Sequence, residues 1–417
     1  MSDPVPANTL QIIDRWVGIP VCWFLTLLRK LSDTPPPSEP PKKILFVKFA
    51  EQGSTVLAQG AIRKAVEIVG KENVYFVVFQ ENRFILDVLG LIPEENVITI
   101  KRDTFPDLVA GSLKALKRMH ELDIDTAIDM EFFSRSSASL TYMTGARRRI
   151  GFHTFFGEGP YRGDLMTHKL LYNPYLHTSQ IFKLMVEATV RDADELPTYG
   201  VVPEPVNKTL PAFVPRPGEV EKVQEIVRDA AGGANVTRLI LLNPNASDLL
   251  PLRKWETARY IELAKRLLEH YPDAHIGMTG APSESKSIAA VAAQVNSPRC
   301  FSVAGKTTLR QLMVLYTLSE VLITNDSGPA HFAALTPIHV VVLFGPETPA
   351  LFGAPTPRCT PIWLGLACSP CVNAYNNRQS PCQNNLCIQG ITVDRVFTEA
   401  VKVIDGREAE KAEPVAV

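Results

Sequence analysis

No apolar run in this chain reaches the roughly 18 residues that a single membrane-spanning helix needs. Charge of one sign is missing too: 43 Lys and Arg stand against 44 Asp and Glu, which excludes the basic footprint of a nucleic-acid binder. Two nucleotide signatures are absent. Without a G-x-G-x-x-G or a G-x-x-x-x-G-K-[ST], dinucleotide-dependent redox chemistry and P-loop hydrolysis lack a basis, and no cofactor is expected. Cysteine is sparse, at seven in 417 residues. An odd count with no small-residue cleavage site argues against a disulfide framework and for a reducing cytoplasm.

What is present begins at the N-terminus. Residues 17–28 are mostly apolar, but Gly18, Pro20 and Thr26 interrupt them. Arg15 precedes the run, Arg29 and Lys30 follow it, and Trp16, Trp23 and Phe24 suit a membrane interface. Residues 9–31 therefore read as an amphipathic helix, lying on the membrane or docked on the protein body. Residues 32–41 hold five prolines, a stiff linker that completes an N-terminal segment over 1–41.

From residue 42 the pattern changes to alternation. Apolar runs at 44–49, 74–79, 97–100 and 126–130 alternate with helical periodicity at 55–69, 84–91 and 108–122. That predicts a parallel sheet covered on both faces. Residues 153–176 show no clean period and read as a long loop, followed by a helix over 179–190. Six prolines between 197 and 217 mark a hinge, placed at 201–217, between a domain at 42–200 and one at 218–405. The second series predicts helices at 220–231, 257–270, 283–295 and 309–318, and strands at 239–242, 275–279 and near Phe301, then 321–324 and 339–344. A last helix is expected at 392–404, with 406–417 as a charged, frayed tail. The fold class is α/β: two Rossmann-like domains facing a cleft, plus the N-terminal amphipathic helix. Ligands of such sheets bind beyond the carboxyl ends of the strands.

The most informative stretch is Asn325-Asp326-Ser327-Gly328-Pro329-Ala330-His331, between two apolar strands. Asp326 or Ser327 can cap the helix that follows, Pro329 suits its first turn, and Gly328 allows close backbone approach. Free N–H groups and the positive helix end make an anion site, typically for phosphate. An ordinary strand–turn–helix cap without a ligand is the plainer alternative. Asn245, Ala246 and Ser247 follow another strand, and Lys254 precedes a helix. Small polar groups and a fixed cation there would hold a diphosphate and stabilise a leaving group without a metal; a solvated surface lysine is the alternative. Asp123-Ile124-Asp125 resembles a metal-binding D-x-D but precedes a strand, so it reads as a turn. Cys368, Cys371, Cys382 and Cys387 are spaced C-x2-C-x10-C-x4-C. Free buried thiols are the default there, and a thiolate metal site the alternative.

The 325–331 segment, the Val342-Leu343-Phe344-Gly345-Pro346-Glu347-Thr348-Pro349 run and Cys368-Ser369-Pro370-Cys371 together resemble the heptosyltransferase family, the ADP-heptose:lipopolysaccharide glycosyltransferases. Residues 44–63, 148–152 and 243–247 with Lys254-Trp255 fit in the family's order, so the resemblance covers residues 42–405. It implies a GT-B fold with the donor on the C-terminal domain, and metal-independent, inverting transfer. By position, Asp326, Ser327, Gly328 and His331 would contact the donor's phosphates and sugar. Lys254 would neutralise the diphosphate, Asn245, Ala246 and Ser247 would line it, and Glu284 would meet the ribose. The implied partners are ADP-heptose or another nucleotide sugar, a lipopolysaccharide-core or related glycan acceptor, and the inner face of the cytoplasmic membrane.

One departure stands out. The family's first loop carries Gly-Asp, whose Asp is the proposed general base; here the pair is Gly53-Ser54. Ser54 needs a base of its own, so Glu51 in the same loop is expected to substitute, with Asp129 or Glu131 as the fallback. A non-catalytic nucleotide-sugar scaffold and a GT-B-like epimerase are the competing functions.

Overall fold

The structure is a computed structural model. It describes all residues except 1–6, 33–34, 198–199, 247–249, 377 and 413–417, with side chains also left aside at 7–8 and 407–412. The chain divides into two compact units, Met1–Asn207 with Val372–Ser380, and Lys208–Cys371 with Pro381–Val417.

Unit 1 is built on six parallel strands: β1 (Ile44–Val47), β2 (Val74–Phe79), β3 (Val97–Ile100), β4 (Thr126–Asp129), β5 (Arg148–Phe152) and β6 (His168–Leu170). Their order is β3-β2-β1-β4-β5-β6. Every residue of β1 is buried, because its side chains alternate between two separate cores. Ile44 and Phe46 enter one and Leu45 and Val47 the other. Each such side chain contributes about 1.5–3 kcal/mol by leaving water, which explains why the strand reads as a continuous apolar run.

Unit 2 repeats the plan with β7 (Leu239–Asn243), β8 (His275–Met278), β9 (Cys300–Ser302), β10 (Val321–Asn325), β11 (His339–Phe344) and β12 (Cys359–Trp363), in the order β12-β11-β10-β7-β8-β9. Counted within its own unit, each sheet runs 3-2-1-4-5-6, the doubly wound arrangement. The order reverses between β1 and β4 in unit 1 and between β7 and β10 in unit 2. Glu51, Ser54, Asp129 and Glu131 lie at or just after the carboxyl ends of β1 and β4, and Asn245, Ala246, Asp326, Ser327 and Gly328 just after those of β7 and β10, while Glu284 follows β8.

Several expectations need correction. The single helix over 55–69 is two, Gln52–Leu57 and Gln59–Val69, meeting at Ala58. The first begins early because Glu51 adopts a left-handed conformation, φ 66°, that turns the chain straight out of β1. β5, β6 and β12 were not expected. β5 hides behind Arg148 and Arg149, both buried. Arg149 satisfies its guanidinium by donating to the carbonyls of Leu165 and Ala146, at 2.8 and 2.7 Å. β12 carries Pro361, which an edge strand tolerates.

The Pro-rich linker is tied down rather than free. Arg148 donates to the carbonyls of Pro37 and Glu39, and Arg147 to that of Pro35. Asp125 of the D-x-D accepts the backbone N–H groups of Lys42 and Lys43, both at 2.9 Å, so it anchors the domain's entry. The N-terminal helix is broken into Ala7–Trp16 and Gly18–Ser32, bent by 42°. No single helix among the described residues is long and apolar enough to cross a membrane. The last helix runs on to Ala412, beyond the expected end at 404.

The expected continuous domain at 218–405 is interrupted. Val372–Ser380 belongs to unit 1, because its apolar residues find their partners there. Ala374 joins the unit 1 core, Tyr375 stacks edge-on against Tyr172 at 5.2 Å, and the Tyr375 hydroxyl donates to the Tyr172 carbonyl at 2.5 Å. This return brings Arg378 into unit 1.

Candidate functional site

In unit 2, the carboxyl ends of β7 and β10 are clamped together by one side chain. Asn325, buried at the end of β10, accepts the Trp255 N–H at 3.1 Å. Its amide donates to the carbonyls of Pro244 and Asn245, at 3.3 and 3.2 Å. Asn243 reaches sideways to the Thr279 hydroxyl at 3.0 Å, fixing the loop after β8. Asn325→Ala should therefore cost about 2–3 kcal/mol in urea unfolding, since it leaves buried donors and acceptors without partners. A loss below about 0.5 kcal/mol would remove the clamp from the argument.

Around this clamp lies a cavity of about 320 Å³. Asn245, Ala246, Glu284, Ser327 and Gly328, all expected donor residues, line it together. Residues that the sequence reading did not select complete it: Asn243, Gly280, Ala281, Pro282, Thr307, Thr308, Leu309, Leu312 and Pro329. Their signals were legible. Thr308 and Gln311 form a capping box at the start of the Leu309–Thr317 helix, the T-x-x-Q pattern. Gly280 is closely packed: an added Cβ would lie 3.1 Å from Glu284 Oε2 and 3.2 Å from the Ala304 Cβ. Glu284 accepts the Ala281 N–H at 2.7 Å, which holds its carboxylate at the cavity edge. The lining is mixed, with apolar Leu309 and Leu312 beside hydroxyl, amide and carboxylate groups, as a nucleoside site requires.

The helix after β10, Gly328–Ala333, starts from Ser327 with Pro329 in its first turn. No side chain caps it. Ser327 instead donates to the Asn325 carbonyl at 3.2 Å. His331 lies buried within this helix, away from the cavity lining. Asp326 and Glu347 are buried, and the half-buried Arg253 lies against both. Arg253 donates to the Asp326 carbonyl at 3.3 Å, lies 3.7 Å from its carboxylate, and pairs with Glu347. Burial pushes the Glu347 carboxyl up to about 8, with Asp326 adding to the shift and Arg253 opposing it. The sequence pattern singles out neither Arg253 nor Glu347 as a site residue. It points to Lys254, whose side chain is exposed and outside the cavity lining. Ser247 lies outside the described residues.

In unit 1, the corresponding strand ends carry four charged groups. Glu131, after β4, accepts the N–H groups of Phe49 and Ala50, at 2.8 and 3.1 Å, and the Lys48 ammonium at 3.2 Å. It thus holds the loop after β1. Lys48 is wholly buried, which pulls its ammonium down, with Glu131 opposing. Asp129 is buried against Arg162, accepts from Ser137 Oγ at 3.0 Å and from the Glu131 N–H at 3.1 Å. Burial raises it to about 6, against the pull of Arg162. Glu51 is different. It is partly exposed, left-handed, and paired with Arg378 and, at 3.7 Å, with Lys48. Ser54 donates to the Glu51 carbonyl at 2.8 Å and lies 3.4 Å from its carboxylate.

Cys368 is exposed, Cys371 and Cys382 are half-buried and Cys387 is buried; all four are free thiols. Burial pushes Cys387 up to about 11, with the other three thiols adding to the shift. Among the described residues, no group of three or more His, Cys, Asp or Glu is arranged to hold a metal ion.

Comparison with known proteins bears on these sites. A family model described as glycosyltransferase family 9 (heptosyltransferase) matches residues 112–380. The chain is 33% identical over 103 residues to lipopolysaccharide heptosyltransferase 2 of Salmonella typhimurium, covering 24% of this chain and 29% of that protein. It is 23% identical over 174 residues to lipooligosaccharide heptosyltransferase 2 of Campylobacter jejuni, covering 41% and 52%. The chain thus spans about a third to a half of the relatives it matches. The solved structure of E. coli ADP-heptose lipopolysaccharide heptosyltransferase II superposes with a TM-score of 0.64 at 20% identity, covering 88% of this chain and 99% of that one. A glycosyltransferase family 9 structure from Veillonella parvula gives 0.65 at 16% identity, covering 88% and 97%. These likenesses establish the fold.

Proposed function

Because the chain belongs to glycosyltransferase family 9, the heptosyltransferases, we propose that it transfers a sugar from a nucleoside-diphosphate donor to a lipopolysaccharide-core or related glycolipid. The observation that carries this reading is the unit 2 cavity, where five donor residues chosen from sequence meet at a sheet's switch point. The donor is ADP-heptose or a close analogue, and the transfer is inverting and needs no metal. In this reading Leu309 and Leu312 take the base, Glu284 meets the ribose, and Asn245 and Ala246 line the diphosphate. The N–H groups at Ser327–Gly328 hold its negative charge, with Lys254 as the solvent-side cation. Asp326 and His331 order that turn from behind, and Arg253 and Glu347 fix Asp326.

In unit 1, Glu51 takes the proton of the acceptor hydroxyl, and Arg378 and Lys48 hold its carboxylate in place. Asp129 and Glu131, already committed to Arg162, Ser137, Lys48 and two backbone N–H groups, position the loop. The acceptor places the protein at the inner face of the cytoplasmic membrane.

The test is transfer from purified ADP-heptose to a heptose-acceptor lipopolysaccharide core, followed by mass spectrometry. A product larger by one sugar supports the reading. Nucleotide binding without turnover would make the protein a scaffold. Donor conversion without acceptor would make it an epimerase.

A further inference from the structure

We infer that the N-terminal helix pair is a membrane foot, inserted in one lipid leaflet by its apolar outer stripe and bolted to unit 1 by its inner one. The inference deepens the membrane-face reading above and does not depend on which sugar is moved.

The Gly18–Ser32 helix has two opposite faces. One carries Gly18, Cys22 and Leu25, all buried. Gly18 is required there: a Cβ would lie 2.7 Å from the Arg135 Cβ. Cys22 contacts Ser139 Oγ at 3.5 Å, Thr26 accepts the Asp164 N–H at 2.9 Å, and Arg29 pairs with the Asp164 carboxylate at 2.8 Å. From the preceding helix, the Asp14 carboxylate accepts the N–H groups of Arg135 and Ser136, at 3.2 and 2.7 Å, and the Ser134 hydroxyl at 3.1 Å. Asp14 therefore satisfies the open N-terminus of the Arg135–Met143 helix.

The outer face of the pair is open, apart from the Arg15 guanidinium over the Trp16 ring at 5.7 Å. Trp16, Trp23, Phe24, Leu27, Leu28 and Leu31 stand exposed on it, Trp16 at 70%, Trp23 at 62% and Leu31 at 76%. Solvent alone is a poor environment for such a contiguous stripe. The occupant is identified by chemistry. Trp side chains along an aliphatic stripe, with exposed Arg15 and Lys30 near its ends, match the boundary between lipid headgroups and acyl chains. The two helices together have the length to cross, but they bend by 42° between them; alone, the 15-residue helix extends about 22 Å, short of a core about 30 Å thick. Its inner face is also fixed to protein along its length. The pair therefore lies in the plane of the leaflet instead of crossing it.

The foot meets unit 1 next to the β4 loop. Ser137, one turn into the helix that Asp14 caps, donates to Asp129, and Asp129 accepts the Glu131 N–H. Membrane insertion would thus set the height and orientation of the Glu51–Glu131 cluster above the lipid surface.

The experiment uses the full chain and sedimenting vesicles, either pure phosphatidylcholine or phosphatidylcholine with phosphatidylglycerol. Binding is measured at low salt and at about 1 M salt, where the screening length falls to about 3 Å. The protein should bind both vesicle types and stay bound at high salt, and brominated lipid should quench its Trp fluorescence. The double variant W23E/F24E, on the exposed stripe, should keep its thermal midpoint and lose vesicle affinity by at least about a hundredfold. Binding only to anionic vesicles that salt reverses would overturn the inference in favour of a basic patch. Self-association in gel filtration without vesicle binding would overturn it in favour of a second copy. Undiminished binding by W23E/F24E would overturn it as well. Transfer to a soluble acceptor fragment, measured in parallel, keeps failure of the foot distinct from failure of the glycosyltransferase reading.

Discussion

Glu51→Gln should lower sugar transfer by at least about a hundredfold while leaving nucleoside-diphosphate affinity within about twofold. The acceptor hydroxyl must lose a proton as it attacks, and a placed carboxylate contributes about 10²–10⁴-fold to such a step. By the resemblance of residues 44–63 to the heptosyltransferases, Ser54 takes the place of an aspartate proposed as the base, and a hydroxyl cannot serve unaided. The carboxylates at the unit 1 switch point differ in availability. Asp129 is buried and bound on both oxygens, and Glu131 accepts two backbone N–H groups and an ammonium. Glu51 is the most exposed of the three, at 29% against 14% for Glu131, in a backbone conformation unusual for a non-glycine residue. Gln keeps the shape and removes the basicity. Arg378→Lys should retain more activity than Arg378→Ala, because either cation can hold Glu51 but only Arg offers the planar fork. Full activity in Glu51→Gln would end its candidacy and shift attention to Asp129 and Glu131.

Arg253→Ala should destabilise unit 2 by up to about 3–5 kcal/mol at high pH, where the buried Glu347 carboxylate is charged and loses its cation. The effect should grow with pH. Burial holds the Glu347 carboxyl at about 8, above its ordinary 4.5. A raised carboxyl favours the fold fully below its ordinary value, and the advantage disappears as pH climbs through the folded value. The urea midpoint of the variant should therefore fall more steeply between pH 5 and 8 than that of the parent protein. Arg253→Lys should recover part of the loss. Lys254→Ala, on the exposed neighbour, should leave stability unchanged and weaken nucleoside diphosphate more than nucleoside. A stable, pH-insensitive Arg253→Ala would show that Asp326 and Glu347 do not need this guanidinium.

Elements with a continuous apolar run were legible because a strand buried on both faces needs apolar side chains at every position. β1, β2, β7, β10 and β11 announce themselves in this way. β5 did not, because buried Arg148 and Arg149 satisfy themselves on backbone carbonyls far along the chain, and no local pattern records such partners. β12 was hidden by its edge position and Pro361.

The site divides along the same line. Sequence by itself determined the turn chemistry: small, polar and glycine residues at the ends of β7 and β10, and a helix starting beside Pro329. It also determined that Glu51 follows β1 and that the N-terminus carries an apolar stripe with Trp and flanking cations. Tertiary structure alone decided which of two adjacent cations reaches the buried carboxylates, because Arg253 and Lys254 differ in direction and not in composition. It also decided that Arg378, distant in sequence, pairs with Glu51, and that Asp14 caps a helix 121 residues away. Charge is written in the sequence, but its partner is chosen by the path of the chain. Coulomb energy falls as the inverse of distance and is screened over about 10 Å at 0.1 M salt, and only the fold sets that distance.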